Sequence, residues 1–410
     1  DSSGVYAQRY SPANTGTAIW GESGSSIPET SDWDGNAFGT EGATTTISSW
    51  RVIQGAESPE RDEKIVIGVE GGNRITAMQW DGSAWAPISL DGSVILGTVD
   101  QTYWWSVDVQ YESQSGDAVM VWTDGSNIEY ATWDGTAWSA VGTLSDYSGA
   151  TPRQLQLASS PDADEMVLVV SDTNDRDTAY VWDGSGWGNP IELATNSADN
   201  KTDVNVVYQQ QSGDAVVVYG EGSTAIQARV WDGAGWGTPL ALAAPAGTSG
   251  NVNWTSVAAD PNSDAIAVSV VTTGGNIWAG VWDGGWSTSL LSGSSSSTVA
   301  PTADVAFESG TGELLVAYAE SGSSNVKYVT WSAGGGWSAE QNGPNVGNTP
   351  NSLTLDSDPG SDRIMLSARD SGSDLNMVPW NGDSWGTVTE HEINTGETKN
   401  QPCLVLWDQQ

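Results

Sequence analysis

The stretch Trp105–Glu112, WSVDVQYE, places apolar side chains at every second position, the period of a strand packed on one side. AVMVW (Ala118–Trp122), NIEYATW (Asn127–Trp133) and AWSAVGTL (Ala137–Leu144) follow with period-two character and strand-forming residues. The turn phrases SQSGD, TDGS and DGT separate them. Four short strands joined by tight turns predict one antiparallel sheet. No part of the chain shows a helical period.

The unit repeats. WDGSAW (Trp80–Trp85) returns as WDGTAW at Trp133, WDGSGW at Trp182, WDGAGW at Trp231 and WDGGW at Trp282. Looser copies are WDGNAF at Trp33, WSAGGGW at Trp331 and WNGDSW at Trp380. These eight phrases hold 15 of the 23 tryptophans, and their first residues lie 47, 53, 49, 49, 51, 49 and 49 positions apart. Asp-Gly drives a hairpin between the third and fourth strands of each unit. The flanking aromatics are then expected to meet across it, in a seam between packed sheets. Eight such units predict an all-β fold, an eight-bladed β-propeller of four-stranded antiparallel blades. A right-handed β-helix fits less well, because its coils are shorter than these repeats. The expected blades span roughly 4–47, 48–99, 100–150, 151–200, 201–250, 251–298, 299–348 and 349–398 of a single domain, 1–410.

Counting back from Trp33 places blade one's first strand at GVYAQRYS (Gly4–Ser11). A further strand, NQPCLVLWDQQ (Asn400–Gln410), follows blade eight, so 4–11 and 402–408 compete for one slot. Closure of the ring by the C-terminal strand is the plain expectation. Exchange of a terminal strand between molecules is the sharper one, and it would build an open filament. Its assembly residues would be Val5, Ala7, Arg9, Cys403, Leu404, Val405, Leu406 and Trp407.

Charge narrows the partners. A net charge of −39, from 52 acidic and 13 basic side chains, repels nucleic acid and anionic lipid. No apolar run is long enough to span a membrane. Acidic, lysine-poor composition and a start at Asp1 suit a processed, extracellular or cell-surface protein. Cys403 is the only cysteine, so no internal disulfide forms, and it reads as a small buried hydrophobe. Asn200 and Asn253 open glycosylation sequons.

Candidate chemistry is sparse. The first turns SPERDE (Ser58–Glu63), SPDADE (Ser160–Glu165), QSGD, DPNSD (Asp260–Asp264) and DPGSD (Asp358–Asp362) carry turn residues with carboxylates. DTNDRD (Asp172–Asp177) and DSDPGSD (Asp356–Asp362) could gather calcium oxygens but lack the EF-hand glycine and glutamate, so no cofactor is expected. His391, the single histidine, reads as a solvated outer-strand residue, and with one cysteine it leaves no zinc set. Asp108, Asp203, Asp304 and Asp356 could face the central channel as a paired-carboxylate site or as wet-axis residues. Trp104, Trp105, Trp254 and Trp278 could stack on sugars, though core or seam packing is the expected role. No catalytic residue is assigned.

The WDGSGW phrase after DTAYVW (Asp177–Trp182) resembles blades of the fungal fucose-lectin family. The resemblance covers the third strand and its turn in most repeats. It implies a propeller with sugar pockets between blades, formed by Trp or Tyr beside Arg and Glu. Those lectins have fewer blades, and their Arg–Glu pair does not recur: Arg74, Glu129 and Arg229 occur singly. The leading expectation is therefore a non-enzymatic extracellular structural or surface-assembly subunit that partners itself. The alternative is a carbohydrate-binding propeller whose partners are glycans.

Overall fold

The computed structural model describes residues 15–22, 24–47, 50–101, 104–197, 202–395 and 403–408. Its strands form eight antiparallel sheets arranged as an eight-bladed β-propeller, and no helix occurs among the described residues. Six sheets have four strands; those of blades two and seven carry a short fifth. All eight aromatic phrases are hairpins in which the two rings' residues pair directly, from Trp33 with Phe38 to Trp380 with Trp385. In six of them the ring centroids lie 5.0–5.7 Å apart. The Asp side chain closes the turn: Asp134 Oδ1 accepts the N–H groups of Thr136 and Ala137, while Gly135 takes φ 83°, open to glycine at no steric penalty.

One expectation changes in the middle strands. Ala118–Asp124, Met166–Asp172 and Ala215–Gly220 do not alternate; their apolar stretches, such as Ala118–Trp122 and Met166–Val170, are buried on both sides. Each blade is packed face to face with two neighbours, so odd and even residues feed different seams. Val119 and Val121 join the core between blades three and four, whereas Ala118, Met120 and Trp122 join that between two and three. Every seam among the described residues holds such a core, and that between blades six and seven holds a second, around Trp254, Ile277 and Tyr318.

Blade one resolves the competition for its inner slot. Cys403–Trp407 pairs with Gly16–Trp20 of the same chain, in a sheet completed by Glu29–Trp33 and Gly42–Ala43. This is the plain expectation, closure of the ring by the C-terminal strand, so the slot is not filled by 4–11; that segment, with Val5, Ala7 and Arg9, lies outside the described residues. The closing strand alternates like the others: Cys403, Val405 and Trp407 pack toward blade eight, Leu404 and Leu406 toward blade two. Trp407 Nε1 donates to Asp356 O, and Asp408 takes Lys64 Nζ at 2.7 Å. Cys403 is buried as expected, and burial pushes its thiol up to about 12.

Carboxylates tie neighbouring blades together through the hairpin tryptophans. Glu112, which follows the inner strand of blade three, accepts Trp182 Nε1–H of blade four at 2.6 Å; Glu308 does the same for Trp380 at 2.7 Å. At the alternate seams the acceptor stands just before the second strand instead. Glu63 takes Trp133 at 3.1 Å, and Glu165 takes Trp231 at 3.0 Å. The ring thus has a two-blade rhythm. Inner strands of blades two, four, six and eight have eight residues, and those of the others five.

His391 departs from its expected exposure. It lies in Thr389–Glu392 of blade eight at 8% exposure, wedged against Trp20 (5.0 Å) and Phe38 (4.5 Å) of blade one. Glu41 stands 3.6 Å from Nδ1. Burial lowers its pKa to about 4.

Two predictions follow from these contacts. A double-mutant cycle of Glu112→Ala and Trp182→Phe should give a coupling of roughly 1–3 kcal/mol in urea unfolding; additive losses would make the contact incidental. For His391, the unfolded imidazole protonates near 6.5 and the folded one only near 4. Between those values the unfolded chain binds more protons, so stability drops as the pH is lowered, by at most roughly 3 kcal/mol. The fall in urea midpoint from about pH 7 to about pH 4.5 should be smaller in His391→Phe than in wild type, and equal falls would refute the burial.

Candidate functional site

Among the described residues, the central channel, the aromatic rim of each hairpin and two seams that contain cavities can receive another molecule. The channel, of about 260 Å³, is lined by inner-strand residues including Gln154, Gln156, Asn205, Asp304, Thr354 and Asp356. Its polar side chains first serve as bridges between blades. Asp304 Oδ2 accepts Leu355 N–H at 2.8 Å, while its Oδ1 takes Val305 N–H and the Ser256 hydroxyl. Asn205 and Gln154 donate to Thr255 O and Val204 O of their neighbouring strands. Asp108 makes the same kind of bridge to Leu157 N–H at 2.7 Å.

Burial raises these carboxyls: Asp304 to about 6, Asp108 to about 7, and Asp356 to about 8, where the charge of Asp304 adds to burial. Of the four aspartates expected at the axis, Asp304 and Asp356 line the channel. Asp203 does not. It is fully buried near Gly220 and Asp177, and Asp177 is raised well above its ordinary value by burial and then by Asp203. Trp105 of blade three meets Trp254 of blade six at 6.4 Å, so the two rings reach toward each other from non-adjacent blades beside the channel. Trp104, Trp254 and Trp278 are buried, in keeping with core packing, and Trp105 is half-buried.

The single Arg and Glu residues are taken up locally. Arg74 binds Glu70 at 2.6 Å, Glu129 accepts the Thr143 hydroxyl, and Arg229 donates to Gly237 O. The acidic turns are likewise occupied: Asp172 Oδ1 caps Asn174 N–H, and Asp358 caps Gly360 N–H and the Ser361 hydroxyl. Asn253 is buried and donates to Thr298 O, which removes its sequon from the surface; Asn200 lies outside the described residues.

The rim is more open. In all eight hairpins the second aromatic, Phe38, Trp85, Trp138, Trp187, Trp236, Trp286, Trp337 or Trp385, is half-buried. Tyr130 packs against Trp182 and Trp187 of the next blade, and Tyr328 against Trp380 and Trp385. Cavities lie at the two seams that flank blade six. Between blades five and six, about 120 Å³ is enclosed by Val216, Val230, Leu240, Val268, Trp282 and Trp286, almost wholly apolar. Between blades six and seven, about 260 Å³ is bordered by Asp260, Ala265, Asp283, Glu313, Trp331 and Ser332. Sequence reasoning missed both, although WDGGW and WSAGGGW, the only hairpins of unusual length, mark the place.

No protein-family model matches the chain, and no curated protein resembles it in sequence. Solved structures do match its architecture. The BP39L lectin from Burkholderia pseudomallei aligns with TM-score 0.59 and 12% identity over 84% of this chain and 99% of its own. AofleA from Arthrobotrys oligospora gives 0.42 and 14% over 74% and 90%. The Aleuria aurantia lectin, a fungal lectin of six-bladed β-propeller fold, gives 0.42 and 15% over 85% and 96%. Identities this low speak for fold alone, and the fold that the BP39L lectin shares with this chain is the β-propeller expected from the repeated hairpins, here with eight blades.

Proposed function

We propose that this chain is a non-enzymatic carbohydrate-binding propeller that works outside the cell. The observation that carries the reading is the rim: every hairpin holds an aromatic ring half-exposed at a blade seam. An indole offers a flat apolar surface to the C–H face of a sugar, while carboxylates, hydroxyls and backbone groups beside it take the sugar hydroxyls. The similarity in fold to the BP39L lectin supports the same reading. So does the charge, because an acidic, lysine-poor surface favours neutral glycans over nucleic acid or anionic lipid. Assembly through exchanged terminal strands is not taken up, since Cys403–Trp407 is engaged in its own ring. Absence of catalysis belongs to the proposal too; Asp304, the better-bonded of the channel carboxylates, has both oxygens committed to the scaffold.

The test is a glycan array probed with the folded, labelled full chain. Binding to at least one neutral glycan class is expected, with quenching of tryptophan emission when that glycan is titrated in solution. Silence across the array from protein shown to be folded would overturn the proposal.

A further inference from the structure

Three departures from the repeat converge at one seam. In blades two and four, the residue just before the second strand is glutamate, and it holds the tryptophan of the next blade: Glu63 with Trp133, Glu165 with Trp231. The equivalent position in blade six is Ala265, identified by a shared backbone bond: Asp260 N–H to Ala265 O matches Ser160 N–H to Glu165 O. Alanine cannot reach the indole. The other acceptor position is filled by Asp260, whose Oδ1 caps Asn262 N–H and whose Oδ2 takes the Ser263 hydroxyl. A second member of the network is also lost. Glu165 accepts the Tyr208 hydroxyl of blade five, and the equivalent residue in blade seven is Phe307. Trp331, 7% exposed, consequently has no hydrogen bond from its Nε1 among the described residues.

The third departure is in the hairpins. Blade six has the shortened WDGGW and blade seven the lengthened WSAGGGW, and both reach the same space. Asp283 of the first and Ser332 and Ala333 of the second line the cavity of about 260 Å³, together with Asp260, Ala265, Glu313 and Trp331. In blades two and four a glutamate fills the corresponding position, and in blade eight Arg363 does, its guanidinium lying over the Trp33 ring.

We propose that this cavity is a binding site for one neutral sugar unit, a reading that rests on carbohydrate binding as the protein's function and assigns it a place. Indole N–H is a donor without an acceptor; Asp283 and Glu313 are acceptors; Ser332 serves as either, while the Ser263 and Thr311 hydroxyls already donate to Asp260 and Glu308 and can only accept. A ligand that answers all of them has several hydroxyls, each able to donate and to accept, around a small apolar ring. An ammonium group would satisfy the carboxylates but leave the indole unpaired. An acidic sugar would meet three carboxylates and be repelled. The volume lies just under the roughly 300–1,000 Å³ of ordinary small-molecule pockets, which suits a terminal monosaccharide.

The experiment titrates the full chain with methyl α-L-fucoside, methyl α-D-mannoside, methyl β-D-galactoside, methyl β-D-glucoside and N-acetylneuraminic acid, read by calorimetry and tryptophan fluorescence. At least one neutral glycoside should bind in the millimolar range, as expected for so few atoms, and the acid should not. Ala265→Glu copies blades two and four and Ala265→Gln fills the space without charge; each should weaken that binding at least about tenfold, since each puts a side chain where the sugar sits. Trp331→Phe should weaken it by removing the N–H. Thermal midpoints equal to or above wild type in either Ala265 variant establish that the fold is intact. Unchanged affinity in both folded Ala265 variants would overturn the site. If array binding also persists in those variants, glycan recognition stands and resides at other seams; if the wild-type array is silent, both proposals fall.

Discussion

A sheet that is apolar on both faces cannot end in water, and this single constraint shapes the molecule. Every middle strand, such as Met166–Asp172 or Leu314–Tyr318, is buried on both sides. Any blade without two neighbours would expose a row of valines and leucines, at about 25 cal/mol for each Å² left wet. A ring is the arrangement in which no blade lacks a neighbour. The last seam must therefore close as well as the others, and Cys403–Trp407 does this by supplying alternate side chains to blades eight and two. The cost of joining the chain's two ends is only logarithmic in loop length, small beside the apolar area that closure buries.

Hydrophobic packing alone is indifferent to where one blade stops sliding against the next. The polar bridges supply that registration. Toward the axis, Asp108, Asn205 and Asp304 each reach a backbone group of the neighbouring inner strand. Farther out, Glu63, Glu112, Glu165 and Glu308 take the indole N–H of the next blade. A buried glutamate that lost its partner would retain its desolvation penalty; burial already raises Glu112 and Glu308, offset by the hydroxyl and indole they accept. Such bonds hold blades in one position and so hold the rim aromatics in one geometry. Where the bond is missing, between blades six and seven, the space it would occupy is open.

The same repetition explains why function is hard to see from outside. Tryptophans, carboxylates and glycine turns recur because the scaffold needs them, so their presence marks no site. Information lies in the exceptions. Ala265 in place of glutamate, Phe307 in place of tyrosine and a pair of hairpins of unequal length are inconspicuous singly. They acquire meaning only once the ring places them on one cavity wall or beside it.

The chain's own pattern determined the number of blades, their antiparallel strands and the pairing of aromatics across each hairpin, because period-two alternation, Asp-Gly turns and cross-strand contacts are local matters settled within a few residues. It did not determine which segment fills blade one, since 4–11 and 402–408 both read as strands and only the geometry of a closed ring selects between partners nearly four hundred residues apart. The burial of His391 and the displacement of Asp203 from the axis were likewise decided by neighbours contributed from other blades. So were the indole–carboxylate bonds and the alanine that replaces their acceptor between blades six and seven: each depends on residues from different repeats, and no local rule connects side chains that only the folded ring brings together.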